Sequence, residues 1–200
     1  MGSALIPILI GNIHLDEVYF KVKGKDCYRW SAKDKGTKYR LYGCLTSKRD
    51  YMTGAKPLYK YIKRLCLQQF LDRKNRGKKI RFVTDKLAHY KKGFNKYFRR
   101  IALLTHGVPI KAKRNGLKYN NNCIERDHQY NKQRYKTMRG FATLTSADTL
   151  LDFFDMHYNF IDKQKIRGKR KTPAEAAGIE IGLGNTHHLL RLIEIAYDEK

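Results

Sequence analysis

Three acidic residues attract attention because each lies where a predicted secondary-structure element begins or ends. Asp16 is near the start of a β-like stretch, Asp85 directly follows another, and Glu125 falls in the first turn of a predicted helix. Acids are scarce in this chain, which has 18 Asp and Glu against 43 Lys and Arg. Three carboxylates brought together repel one another unless divalent cations lie between them, and Mg²⁺ prefers oxygen ligands. Such a set could hold two ions for an in-line displacement at phosphorus.

Each of these acids also has a simpler explanation that the local sequence leaves open. Asp16 shares the parity of the apolar Val18, so it points to the face that becomes the core, where a lone carboxylate is costly. It could instead belong to a strand start that is still exposed to water. Asp85 could be the N-cap of the following helix. Glu125 could be the N3 residue of a capping box headed by Asn122.

The elements that must position these acids are predicted from hydrophobic periodicity. Three β-like stretches come first and fit three antiparallel strands, at 13–23, 27–32 and 39–46. Helical spacing then alternates with short β-like runs. The predicted helices cover 57–71, 87–97, 122–138, 144–161 and 172–178, and the later strands cover 80–84 and 101–104. This order is typical of a mixed α/β layer with helices packed on a central sheet.

The charge balance predicts a polyanionic partner. The formal net charge is +25, and the segment 86–141 contains 15 Lys and Arg but only two acids. An apolar fraction of 42%, with 14 Tyr and 9 Phe, argues against a disordered polycation. Composition alone does not choose among DNA, RNA and an anionic membrane surface.

The four cysteines and the apolar runs exclude other classes. No Cys-x-x-Cys pair is present, which argues against a zinc ribbon and favours free thiols in a reducing interior. The longest apolar run, 4–10, is far shorter than the ~20 residues that cross a bilayer. We therefore expect a protein of the cytosol, or of the nucleus if its host has one, that does not cross a membrane.

The motifs around the three acids resemble those of the DDE transposases of prokaryotic insertion sequences. The matching motifs are residues 14–17, 83–86 and 121–126, with further matches at 28–34, 138–141, 158–160 and 172–175. Together they cover nearly the whole chain from residue 13 to about residue 178. The resemblance implies a retroviral-integrase-like catalytic core with an α/β, RNase H-like fold. Its mixed central sheet would begin with three antiparallel strands and have helices on both faces.

The resemblance also assigns roles to residues of this chain. It implies that Asp16, Asp85 and Glu125 are catalytic and bind two Mg²⁺ or Mn²⁺ ions. The reaction would be hydrolysis at a transposon end, followed by attack of the freed 3′-OH on target DNA. Lys132, two helical turns after the Glu, would touch DNA near the metals. The full set of DNA-binding residues predicted on this basis is Lys132, Arg126, Arg134, Lys136 and Arg139.

Partners and location follow from the same resemblance. The expected partners are transposon ends and target DNA, bound by a homo-dimer or higher oligomer. The expected location is the prokaryotic cytoplasm, in association with the nucleoid.

The resemblance has one departure and leaves two alternatives. We divide the chain into a short extension (1–12), a catalytic core (13–162) and a basic C-terminal tail (163–200). Family members usually carry an N-terminal helix-turn-helix or zinc-bearing segment. Only about a dozen residues precede the first strand here, so a truncated reading frame or a fragment is expected.

Two alternative functions stay open: a non-catalytic nucleic-acid-binding module, and a structure-specific nuclease on the same fold. The basic run 163–171 could be a nuclear-localisation-like patch, a DNA-contacting arm or a solvated, mobile connection.

Overall fold

The computed structural model describes residues 6–106, 120–137 and 140–179. A five-residue π-helical turn (Tyr51–Ala55) leads into the first α-helix. The strands are β1 (Ile13–Val22), β2 (Lys25–Asp34), β3 (Arg40–Thr46), β4 (Ile80–Thr84), β5 (Ala102–His106), β6 (Gln164–Ile166) and β7 (Lys169–Lys171). The helices are α1 (Lys56–Asn75), α2 (Ala88–Tyr97), α3 (Asn122–Thr137), α4 (Leu144–Phe160) and α5 (Pro173–Ala176).

The central sheet has five strands in the order β3-β2-β1-β4-β5. The first three strands form an antiparallel meander, whereas β1, β4 and β5 run parallel to one another. Because parallel neighbours need a crossover, α1 connects β3 to β4 and α2 connects β4 to β5. This arrangement confirms the predicted mixed sheet of an RNase H-like fold.

Helices cover both faces of the sheet, and β1 supplies side chains to both layers. Ile13 and Leu15 pack with α1 and α2 in one apolar cluster, whereas Val18 and Phe20 pack with α4 in the other. A strand that is covered on both faces must be apolar at both parities. Among the odd-numbered side chains of β1, Ile13 and Leu15 in the first half are buried, whereas Tyr19 in the second half is exposed. On this face the cover by α1 and α2 therefore ends between Glu17, whose side chain is buried, and Tyr19.

The first helical layer is held by aromatic packing. Phe70 of α1 stacks on Phe82 of β4, with the ring planes 9° apart, and Tyr59 meets the same ring edge-on. Pro57 lies at the start of α1, where its missing N–H is not needed.

The strand predicted at 101–104 is β5, and it extends further than expected, to His106.

Most of the basic run 163–171 forms a two-stranded hairpin of β6 and β7. Ile166 is buried, and Gly168 turns the chain with φ +81°. Thr172 then caps α5 in a capping box with Glu175. The predicted end of the third helix, at Met138, lies outside the described residues.

The four cysteines are free, as expected. No helix in the described part of the chain combines the length and the apolar character needed to cross a membrane.

Candidate active site

Asp16 and Asp85 come together because of the register between two parallel strands. The last β1–β4 pair is His14 with Val83. Asp16 and Asp85 each lie two residues beyond that pair, at the carboxyl edge of the parallel strands. Open α/β sheets usually place their ligands at this edge.

The backbone around Asp85 orients its carboxylate. Oδ1 accepts a hydrogen bond from the Leu87 amide at 2.9 Å, and the carbonyl accepts one from His106 Nδ1 at 2.9 Å. Helix α2 begins at Ala88 with Leu87 as its N-cap. The alternative in which Asp85 caps this helix is therefore wrong, because its side chain closes a tight turn that precedes the helix.

Glu17 is a third carboxylate at this point. Asp16, Glu17 and Asp85 each offer one oxygen, and these oxygens lie within 4.8 Å of one another. The neighbouring residues of a strand point to opposite faces, as expected for Asp16 and Glu17. Both nevertheless offer an oxygen to one group with Asp85, just beyond the last residue pair between β1 and β4. Glu17 was not among the predicted site residues; its position next to Asp16 was the available signal.

Partners from two elements hold Glu17 in place. The Tyr90 hydroxyl of α2 donates to Oε2 at 2.8 Å, and the Arg49 guanidinium donates to Oε1, with Nε at 2.8 Å. The side chain of Glu17 is only 4% exposed. Burial raises the pKa of Glu17, and the Asp85 carboxylate adds to the rise, whereas the hydrogen bonds from Arg49 and Tyr90 oppose it. Glu17 is thus a carboxylate whose negative charge is partly balanced.

Helix α3 is attached to β1 directly beside Asp16. The buried side chain of Asn121 donates to the Leu15 carbonyl at 3.3 Å and accepts from His14 Nδ1 at 3.1 Å. Nearly two turns into the helix, His128 Nε2 lies 3.2 Å from Asp16 Oδ2, without the geometry of a hydrogen bond. These contacts place the N-terminal half of α3 against the candidate site.

Glu125 lies on this helix but outside the three-carboxylate group. Its side chain is exposed and, among the described residues, has neither a hydrogen bond nor an ion pair. Its amide bonds to the Asn121 carbonyl at 3.1 Å, so the first turn closes on Asn121 rather than on Asn122. Glu125 is therefore not the N3 residue of the capping box that the sequence suggested.

The predicted DNA-binding residues have different surroundings. Lys136 and Arg126 are exposed, and Lys132 Nζ lies 4.5 Å from the centre of the Tyr19 ring. Arg134 is engaged within the protein, where it donates to the Tyr130 hydroxyl and lies over the rings of Tyr130 and Phe154. Arg139 lies outside the described residues.

A buried ionic network fixes α3 and α4 to the sheet. Asp127 of α3 binds Lys33 Nζ at 2.7 Å and Arg40 Nε at 3.2 Å. The α4 side of the network consists of Asp148, Asp152 and Asp155, all three paired with Arg29. Asp155 also pairs with Arg40. The spacing of the α4 acids, at i, i+4 and i+7, is the only sequence signal for this network.

Comparisons with known proteins agree with this geometry. Residues 11–164 match the family model DDE_Tnp_IS240, described as a DDE domain. A chain of the simian T-cell lymphotropic virus intasome, solved with the PP2A regulatory subunit B56 gamma, matches with a TM-score of 0.56 and 10% identity. That match covers 91% of this chain and 58% of the viral chain, so this chain spans little more than half of the viral chain's length.

Two further solved structures are similar at lower scores. The HTLV-2 integrase catalytic core domain in complex with magnesium, in its trimeric form, matches with a TM-score of 0.48 and 12% identity, over 85% of this chain and 97% of that one. The Mos1 transposase catalytic domain with Raltegravir and Mg matches with a TM-score of 0.47 and 13% identity, over 78% and 73%. No curated protein sequence matches this chain.

The fold and the site together define an RNase H-like domain with paired aspartates at the carboxyl edge of its parallel strands. Since the family model covers most of the chain, this protein belongs to the family of DDE catalytic domains of insertion-sequence transposases.

Proposed function

We propose that this chain is the catalytic core of an insertion-sequence transposase, which cleaves DNA strands at an element's ends and joins them to target DNA. The observation that carries this proposal is that Asp16 and Asp85 lie side by side on neighbouring parallel strands, each two residues beyond the last pair between those strands. The proposed core covers residues 13–162.

The residues at the site fit a divalent cation. Carboxylate oxygens are the ligands that Mg²⁺ and Mn²⁺ prefer, and clustered carboxylates without a cation repel one another. Asp16 and Asp85 would hold the ions, and we propose that Glu125 completes the set from α3. When bound, two ions would activate the attacking oxygen and stabilise the leaving oxygen of an in-line displacement at phosphorus.

The protein's own contribution is positioning. The Leu87 amide fixes one oxygen of Asp85, and Asn121 attaches the helix of Glu125 to the strand of Asp16. Support for Glu125 comes from its place one helical turn before His128, which contacts Asp16. The exposed Lys136 and Arg126, together with Lys132, Arg134 and Arg139, would hold the DNA backbone near the carboxylates.

The biological setting belongs to the same proposal. The partners would be transposon ends and target DNA, bound by a dimer or higher oligomer, because two ends must be processed together. The protein would act in the prokaryotic cytoplasm on nucleoid DNA. We also propose that a segment for recognising the ends is supplied outside the catalytic core.

The test is a strand-nicking and strand-joining assay. Supercoiled plasmid and a duplex oligonucleotide with a free 3′-OH are incubated with the protein and Mg²⁺ or Mn²⁺. We expect Asp85→Asn to abolish nicking and joining and to keep DNA affinity. Asp26→Asn is the matched control, because Asp26 is exposed at the far end of the β1–β2 ladder.

The outcomes separate the candidate functions. Activity in Asp85→Asn equal to that of Asp26→Asn would contradict the catalytic proposal. Nicking without joining would indicate a nuclease on the same fold. DNA binding without metal-dependent nicking in the unmodified protein would indicate a non-catalytic binding module.

A further inference from the structure

A basic cleft of about 400 Å³ lies between the β2–β3 hairpin and α3. Lys33, Lys35 and Lys38 line it from the hairpin, and Arg126 and Asp127 line it from the helix. We refer to it as the hairpin cleft. It contains none of the three clustered carboxylates Asp16, Glu17 and Asp85.

The only acid lining the hairpin cleft is already neutralised. Asp127 binds Lys33 Nζ at 2.7 Å and Arg40 Nε at 3.2 Å, so its charge is shared by two cations. Lys35, Lys38 and Arg126 form no ion pair with any described residue. Three positive charges therefore face one concave surface without a counter-charge from the part of the chain that the structure describes.

The surroundings of Lys38 in the hairpin cleft disfavour its positive charge. Partial burial lowers the pKa of Lys38, and the positive charges of Lys33 and Arg126 lower it further, whereas the Asp127 carboxylate opposes this. An anion in the hairpin cleft would relieve the repulsion among these positive charges.

The hairpin holds its lysines in a fixed conformation. The Asp34 carboxylate is buried and accepts hydrogen bonds from the Thr37 amide at 2.8 Å and the Gly11 amide at 2.9 Å. Lys38 has φ +63°, a left-handed conformation that costs a residue with a Cβ roughly 1–2 kcal/mol. Glycine would adopt this conformation without strain.

We propose that the hairpin cleft is a phosphate-binding site for the DNA backbone, in which Lys35 and Lys38 of the hairpin extend the DNA contact already proposed for Arg126. The assignment rests on the proposed function in one respect, namely that the phosphates are those of DNA. Free phosphate is the other source of the same chemistry, and the experiment distinguishes the two.

The test compares two double variants made in the Asp85→Asn background, so that no strand is cut during the measurement. The test variant is Lys35→Gln with Lys38→Gly. The control is Lys60→Gln with Lys74→Gln, which removes two exposed charges from α1 on the other face of the sheet. Affinity for a fluorescent duplex is measured by anisotropy between 50 and 200 mM salt.

Loss of two phosphate contacts lowers the slope of log affinity against log salt by roughly 0.9 for each contact. We therefore expect the slope of the test variant to fall by about 2, and that of the control by less than about 0.5. Equal slopes in the two variants would overturn the proposal. Because glycine accommodates the backbone of residue 38, the melting temperature is expected to stay the same or rise.

A second arm identifies the source of the phosphate. Amide signals of the hairpin and α3 are followed by NMR during titration with inorganic phosphate. Shifts that disappear in the test variant, together with the reduced DNA slope, support the proposal. Loss of the phosphate shifts with an unchanged DNA slope would overturn the assignment to DNA. This comparison needs no catalytic activity, so it is independent of whether the proposed strand transfer occurs.

Discussion

Removing Asp155 should destabilise the fold far more than removing its neighbour Asp152. Asp155 joins two buried guanidinium groups, with one oxygen 2.8 Å from Arg29 Nη2 and the other 2.8 Å from Arg40 Nη1. Arg29 is completely buried beneath α4, and Asp155 is only 15% exposed. Asp155→Ala leaves two buried cations with fewer counter-charges.

The expected magnitude follows from burial. Breaking a buried pair by removing one partner costs roughly 3–5 kcal/mol. Arg29 keeps Asp148, and Arg40 keeps Asp127, so we expect the low end, about 3 kcal/mol. For a chain of this size, 1 kcal/mol lowers the melting temperature by roughly 2–4 °C, so the expected shift is about 6–12 °C.

Asp152 provides the matched control within the same helix. It also contacts Arg29, at 2.7 Å, but it is 60% exposed. Exposed pairs contribute about 0–1 kcal/mol, so Asp152→Ala should lower the melting temperature by less than about 4 °C. Urea unfolding and calorimetry measure both variants. Equal losses of stability, or a larger loss in Asp152→Ala, would refute the role assigned to burial.

Three further predictions concern the core, a thiol and the carboxylate group. A methyl group at Gly54 would overlap the indole ring of Trp30, so Gly54→Ala should lower the free energy of unfolding by about 1–3 kcal/mol. Urea unfolding measures this change, and an unchanged midpoint would contradict the packing. Burial raises the pKa of Cys66 to about 12, so iodoacetamide at pH 8 should leave Cys66 unmodified in the native protein. Mass spectrometry measures the modification, and alkylation as fast as in urea would show that the thiol is accessible. Glu17→Gln removes a charge near the other two carboxylates and should raise the Mn²⁺ concentration needed for half-maximal nicking roughly tenfold. An unchanged Mn²⁺ concentration would show that the Glu17 charge does not act on the bound cation.

The fold was predictable because hydrophobic periodicity is a local property. The alternation of Val18 and Phe20 predicted β1, and the apolar spacing of α4 predicted its packing on the sheet. The resemblance to the transposase family implied that Asp16 and Asp85 share one site, whereas the local sequence left a simpler role open for each of them.

The remaining features depend on tertiary arrangement. Parity places Glu17 on the opposite face from Asp16, but it does not reveal that both carboxylates reach Asp85. The pairing of Arg29 with three acids of α4 depends on which turn of that helix lies over β2. The role of Glu125 stays a prediction, because its carboxylate is exposed and lies outside the carboxylate group.

The central claim is that Asp16 and Asp85 together hold the divalent cation used in DNA strand transfer. The most direct measurement is an electron paramagnetic resonance titration with Mn²⁺, which counts bound ions on the unmodified protein and on Asp16→Asn, Asp85→Asn and the control Asp26→Asn. We predict saturable binding to the unmodified protein and the control, and loss of that binding in both site variants. Equal binding by all four proteins would contradict the claim.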